Sequence, residues 1–269
     1  MTQTVAVLGT GKIGEALLSG MIRAGWRAGD LLVTTRRAER AEKLRTRYGV
    51  EAVTNAEAAK SADILILAVK PQDMGTLLDE LAPHVTSDRL VISAAAGITT
   101  AFIEDRLVEG TPVVRVMPNT PVLVDEGMSV ISAGSHATPD HLALAEAIFG
   151  GVGKTLRVPE SQQDAATALS GSGPAYFYFL VEAMTDAGIL LGLPRAQAHD
   201  LIVQAAIGAA VMLRDSGEHP VKLREAVTSP AGTTISAIRE LENHGVRAAL
   251  IAALEAARDR SRELASGNG

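Results

Sequence analysis

Four apolar residues, Val5-Ala6-Val7-Leu8, run straight into Gly9-Thr10-Gly11-Lys12-Ile13-Gly14. A stretch with Ile13, Leu17, Met21 and Ile22 on one helical face follows. An apolar run ended by glycine and continued by a 3.6-residue period reads as strand, tight turn and helix. This unit constrains the fold most, because a strand apolar on both faces needs parallel neighbours and helices over each face. Candidates for those neighbours are Leu31-Leu32-Val33, a short strand near Ala52-Val53, Ile64-Leu65-Ile66-Leu67, Leu90-Val91-Ile92 and Val113-Val114. Helical stretches such as Ala38 to Tyr48 alternate with them. The fold class is therefore α/β, with an N-terminal Rossmann-like doubly wound sheet.

From about Ser161 strand signals vanish and Ala-rich helical patterns cover 175–191, 195–215, 233–244 and 247–264. In Ile202, Val203, Ala205, Ala206, Ile207, Ala209, Ala210 and Val211 the apolar surface wraps most of the helix, which requires burial on more than one side. In so short a segment a subunit interface is the expected cover, with an ordinary monomeric helical bundle as the alternative. A chain of 269 residues suits two domains, here 1–160 (Rossmann-like) and 161–269 (all-α, expected to dimerise).

Composition removes several functions. Lys plus Arg number 25 against 31 Asp plus Glu, a net charge of −6, which is unsuited to neutralising nucleic-acid phosphates. With no cysteine there is no disulfide, thiolate zinc site, iron–sulfur cluster or cysteine nucleophile. Aromatics are 3%, so Ala, Val, Leu and Ile must build the core. His136 and His141 read as a solvated pair, and no metal site is expected. The N-terminus lacks a basic n-region and an h-region. Apolar runs such as Ala205 to Leu213 fall short of the ~20 residues that span a bilayer. A soluble cytoplasmic protein without membrane or nucleic-acid partners is expected; Ser266-Gly267-Asn268-Gly269 reads as a frayed tail.

In the glycine string, Gly9 permits the turn, Gly11 lets the backbone approach a pyrophosphate and Gly14 lets helix and strand pack closely. The helix N-terminus adds free N–H groups, so Gly9, Gly11, Lys12, Ile13 and Gly14 are candidate cofactor contacts. The next strand ends in Thr34-Thr35-Arg36-Arg37, without the acidic residue that binds a ribose 2′-OH in NAD sites. Thr35, Arg36 and Arg37 suit a 2′-phosphate, so NADPH is expected, with NADH as an alternative. A competing reading has both arginines merely opening a solvated helix. Ala68-Val69-Lys70-Pro71 ends a further strand on the ligand-facing edge, with proline stopping the strand and Lys70 near the cofactor or at the mouth of the site. Asn55 is a candidate adenosine contact. Arg115-Val116-Met117-Pro118-Asn119-Thr120-Pro121 reads as a stiff loop after the last parallel strand, adding Asn119 as a cofactor candidate. Far downstream, Val227-Thr228-Ser229-Pro230-Ala231-Gly232-Thr233-Thr234 places small residues before a helix, where bare N–H groups suit a carboxylate. Taken alone, the same segment would pass for an ordinary N-cap.

With Leu169-Ser170-Gly171-Ser172-Gly173-Pro174-Ala175-Tyr176 and the stretch from Pro220 to Glu242 added to these strings, nearly the whole chain resembles the pyrroline-5-carboxylate reductase family. The resemblance implies NAD(P)H-dependent reduction of 1-pyrroline-5-carboxylate to L-proline, the last step of proline biosynthesis. It further implies dimers interlocked through the helical domain, larger rings such as decamers, and active sites that combine the cofactor domain of one chain with the helical domain of another. By the same resemblance, the N–H groups of Ala231, Gly232 and Thr233 hold the substrate carboxylate. The Thr234 hydroxyl meets the ring nitrogen as the catalytic group, Ser229 and Thr228 shape the loop, and Gly173 and Pro174 break helices to let backbones approach. An iminium is already electrophilic, so the reaction leans on positioning more than on strong acids or bases. A β-hydroxyacid dehydrogenase or related imine reductase has a similar layout. The lysine such dehydrogenases carry after G-x-G is Phe177 here. A non-catalytic NADPH sensor is a further alternative.

Overall fold

The computed structural model describes residues 3–265. Met1, Thr2 and the tail read as frayed lie outside the described residues. Contacts divide the chain into two compact units: one runs up to Ser172 and resumes at Ala257, the other is Gly173–Ala256.

The first unit contains β1 (Val5–Leu8), α1 (Lys12–Arg23), β2 (Leu31–Thr34), α2 (Ala38–Tyr48), β3 (Glu51–Ala52), α3 (Asn55–Ser61), β4 (Ile64–Leu67) and α4 (Met74–Leu81). It continues with β5 (Leu90–Ser93), α5 (Thr100–Glu104), β6 (Val113–Pro118), β7 (Gly127–Ala133), α6 (Pro139–Gly150), β8 (Gly153–Arg157) and α7 (Gln163–Ala166). The strands form one sheet in the order β3-β2-β1-β4-β5-β6-β7-β8. Pairing is parallel throughout except between β6 and β7. Strand order reverses between β1 and β4, and at such a switch point the strands' carboxyl ends leave a crevice for a ligand.

Two apolar layers explain why the strand runs are unbroken. Val5, Val7, Ile64 and Ile66 pack with Leu17, Leu18, Met21 and Phe149 on one face. Ala6, Leu8, Leu65 and Leu67 pack with Ala58, Met74, Leu78 and Ile103 on the other. Each buried Leu or Ile stabilises the fold by about 1.5–3 kcal/mol through transfer from water.

The sheet extends further than the apolar runs indicate. Residues 115–118, expected in a loop, belong to β6, where Arg115 pairs with Ser132 and Pro118 with Ser129 of β7. Arg115 is 3% exposed and meets Glu160 at 3.1 Å; Thr100 donates to the same carboxylate through N–H (2.8 Å) and hydroxyl (2.6 Å). β7 carries buried Ser129 and Ser132, and β8 is largely polar and exposed, so neither shows an apolar run. His141 completes a capping box at the start of α6: its Nδ1 accepts from Thr138 N–H, and its own N–H donates to the Thr138 hydroxyl.

Beyond α7 a π-helical turn, Thr167–Gly171, leads to α8 (Gly173–Leu190), α9 (Arg195–Ser216), α10 (Pro220–Ala226), α11 (Thr233–Asn243) and α12 (Val246–Ala265). Gly173 and Pro174 open α8 rather than break it, a position where proline's missing N–H costs nothing. In the second unit α8 and α9 pack closely where Gly188 meets Ala198; a Cβ on Gly188 would lie 2.6 Å from the Ala198 Cβ. The unit has almost no core. Of α9 only Ala198 is buried, while Phe177, Tyr178 and Phe179 of α8 are each about two-thirds exposed. Among the described residues α9 is long and apolar enough, by length and composition, to cross a membrane, which the shorter apolar runs did not suggest.

Candidate active site

The glycine turn and Ala68-Val69-Lys70-Pro71 come together at the β1/β4 switch point. A Cβ on Gly9, whose φ is +87°, would meet Val69 Cγ1 at 2.6 Å and the Ala68 carbonyl oxygen at 3.0 Å. A Cβ on Gly14 would lie 2.7 Å from the Gly9 carbonyl oxygen. At Gly11 there is nothing within 4 Å of that position, so the backbone faces open space where a pyrophosphate must approach. Thr10 ties the turn to β2, its N–H and hydroxyl donating to the Thr34 carbonyl at 3.3 and 3.1 Å.

Gly11 caps α1 without a side chain, leaving the first-turn N–H groups available. Lys12 and Arg37 then stand at the first position of α1 and at the N-cap of α2, where the helix dipole opposes a cation. Such placement is unfavourable by itself and suits an anionic guest. Both residues line a cavity of about 440 Å³ with Thr10, Gly11, Arg40 and Lys43. Two acids in that wall are already engaged: Glu15 by Arg40, Arg47 and Tyr48, and Glu39 by Lys43. Burial alone would raise the Glu15 pKa. Hydrogen bonds from Arg40 and Tyr48, with the charges of Arg40 and Arg47, outweigh it and hold the carboxyl below its usual value. The net positive lining and open backbone at Gly11 fit a dinucleotide bearing a further phosphate.

Other candidates are placed differently. Ile13 is half-buried in α1, and Thr35 is half-buried just past β2. Arg36 is exposed and pairs with Asp73 at 2.9 Å. Asn55 donates to Glu80 at 2.6 Å. Asn119 clamps the backbone: its Oδ1 accepts from Met128 N–H at 2.8 Å, and its Nδ2 donates to the Ser170 carbonyl at 3.0 Å, within the π-turn. Lys70 and Pro71 are exposed.

In the second unit, Ala231 holds φ +56°, a left-handed conformation that costs a non-glycine residue roughly 1–2 kcal/mol. The turn is closed by Gly232 N–H donating to the Ser229 carbonyl at 3.1 Å. A Cβ on Gly232 would sit 2.3 Å from Ser229 Oγ. Gly232 then caps α11 with no side-chain bond, so the first-turn N–H groups of Thr233 and Thr234 have no capping acceptor; Thr233 is exposed and Thr234 half-buried. One of the three expected carboxylate donors, the Gly232 N–H, is thus engaged within the turn. Thr228 bonds the Arg224 carbonyl at 2.6 Å, tying the loop to α10.

A family model for pyrroline-5-carboxylate reductase dimerisation matches residues 160–264, and one for coenzyme F420-dependent NADP oxidoreductases matches 4–97. A pyrroline-5-carboxylate reductase of Corynebacterium melassecola is 46% identical over 265 residues, covering 97% of this chain and 98% of that one. The chain belongs to the pyrroline-5-carboxylate reductase family. The reductase of Methanosarcina acetivorans is also 46% identical, with 97% and 98% covered. Among solved structures, the pyrroline-5-carboxylate reductase of Coxiella burnetii superposes with a TM-score of 0.93 at 37% identity, over 98% of this chain and 99% of that one. A pyrroline carboxylate reductase of Plasmodium falciparum, solved with NADP bound, gives 0.87 at 29% identity, with 98% of each covered. Membership in the reductase family explains the coreless second unit: it is the part matched by the dimerisation model, and its helices self-associate.

Sequence reasoning missed three contacts: Asp73 opposite Arg36, Glu80 opposite Asn55, and the Arg115–Glu160 pair. Each joins residues 25 or more apart, and no local pattern signals it.

Proposed function

We propose that this chain reduces 1-pyrroline-5-carboxylate to L-proline with NADPH, accepting NADH less well. The observation that carries the reading is the uncapped α11 N-terminus behind the strained turn at Ala231. It offers N–H donors for a carboxylate beside the Thr233 and Thr234 hydroxyls. When bound, NADPH supplies a hydride from its nicotinamide. Gly9, Gly11, Lys12, Ile13, Gly14, Thr35, Arg36 and Arg37 would hold the dinucleotide, with Ala68, Val69, Lys70 and Pro71 walling the crevice. Ala231, Thr233 and Thr234 anchor the substrate through N–H groups, on a turn that Ser229 and Gly232 shape. The Thr234 hydroxyl hydrogen-bonds the ring nitrogen, holding the iminium proton in place while the carbon is reduced. The nitrogen keeps that proton and becomes the amine of proline.

The same reading makes the chain a soluble cytoplasmic dimer able to build larger rings such as decamers. Partner helices, not lipid, cover α9. With a net charge of −6, nucleic acid is no partner. The deciding experiment follows NADPH oxidation on addition of pyrroline-5-carboxylate and identifies proline in the product. No turnover with either cofactor overturns the assignment.

A further inference from the structure

Strands β2, β1 and β4 are neighbours in that order, so residues past the ends of β2 and β4 flank the glycine turn from opposite sides. Arg36 follows β2; Asp73 closes the short 3-10 turn Pro71–Asp73 after Lys70. Their side chains meet at 2.9 Å, Arg36 86% and Asp73 33% exposed. Asp73 also occupies the N-cap position of α4, where an aspartate ordinarily accepts from the first-turn N–H groups. It makes no such bond. Its carboxylate is turned to Arg36 instead, leaving α4 uncapped.

This juxtaposition bears on cofactor choice and rests on the NADPH reading above. A 2′-phosphate at the end of β2 carries nearly two negative charges and seeks the guanidinium that Asp73 already holds. Asp73 therefore opposes that phosphate twice, as a competitor for Arg36 and as a like charge beside it. Lys12 and Arg37 face no such competitor: among the described residues neither forms an ion pair. We infer that Asp73 is a specificity-determining residue, which lowers the preference for the 2′-phosphorylated cofactor by clasping Arg36. An NADH molecule carries no 2′-phosphate and meets neither effect.

Calorimetric titration of NADPH, NADH, adenosine 2′,5′-bisphosphate and AMP into the full-length protein tests the inference without turnover. In Asp73→Asn, NADPH and the bisphosphate should bind about three- to tenfold more tightly, with NADH and AMP within twofold of wild type. In an Arg36→Ala background, Asp73→Asn should lose most of that gain. The gain should shrink as salt rises, because exposed charges are screened. A gain in affinity is not what damage to the turn produces, so a folding defect cannot imitate it. Unchanged or weakened NADPH binding in Asp73→Asn overturns the role of Asp73. An equal change for NADPH and NADH does so too. If wild type binds the bisphosphate no more tightly than AMP, the NADPH reading falls, and the inference with it.

Discussion

At the residue scale, two positions carry much of the proposed chemistry for opposite reasons. Gly14 is needed for what it lacks. A methyl group there would press on the Gly9 carbonyl oxygen at 2.7 Å and on Val7 Cγ1 at 3.2 Å, and neither backbone nor buried valine can yield cheaply. Gly14→Ala should destabilise the first unit by about 1–3 kcal/mol and weaken NADPH binding at least tenfold, by roughly 1.4 kcal/mol or more. Chemical denaturation and fluorescence titration measure the two effects. Thr234 is needed for its hydroxyl. Thr234→Ala should lower kcat/KM roughly 10- to 1000-fold while NADPH binding stays near wild type. A near-wild-type kcat/KM would remove the hydroxyl from the mechanism. Local spacing made the glycine turn legible, because turn geometry is a short-range property; the role proposed for Thr234 came from the family resemblance. The engagements of Arg36, Asn55 and Asn119 were not legible, because their partners are set by strand order.

At the element scale, α1 and α2 are fastened through one carboxylate. Glu15 of α1 receives Arg40, Arg47 and Tyr48 from α2. Its pKa is lower in the folded chain than in the unfolded one, so the interaction contributes stability above the unfolded-state value near 4.5. That contribution is lost as pH falls through the lower folded value. Glu15→Gln should therefore cost on the order of 1 kcal/mol at pH 7 and flatten the loss of stability below about pH 5. Urea titrations of both proteins between pH 3 and 7 test the sign; an unaltered pH profile would refute the linkage. Elements whose burial pattern matched their apolar pattern were readable, as in β1, β2, β4 and α2. β7 and β8 were not: β8 is largely polar and exposed, and β7 buries Ser129 and Ser132, of which Ser132 finds its partners only in the tertiary arrangement, donating to the Val158 carbonyl and accepting from Gln163.

At the scale of the whole molecule, the second unit is unfinished in a single chain. α9 exposes Leu201, Ile207, Val211, Met212 and Leu213, and α8 exposes Phe177, Tyr178 and Phe179. Covering what remains exposed of each such side chain contributes up to about 1.5–3 kcal/mol. Ile207→Glu, placing a charge on this surface, should shift the protein toward monomer and lower its thermal stability in a concentration-dependent way. Sedimentation velocity measures the shift, and an unchanged assembly would place Ile207 outside the interface.

The order of strands and helices, the switch from α/β to all-α, the glycine turn and the basic end of β2 are properties of near neighbours in sequence. Periodicity and backbone sterics determine them before any long-range contact forms. Tertiary structure alone decided which cation is spoken for, which amide clamps a backbone, and where the sheet continues past its last apolar run. Those depend on charges and hydrogen-bond groups meeting across about 10 to 60 residues. The fold brings them together, and no local pattern records it.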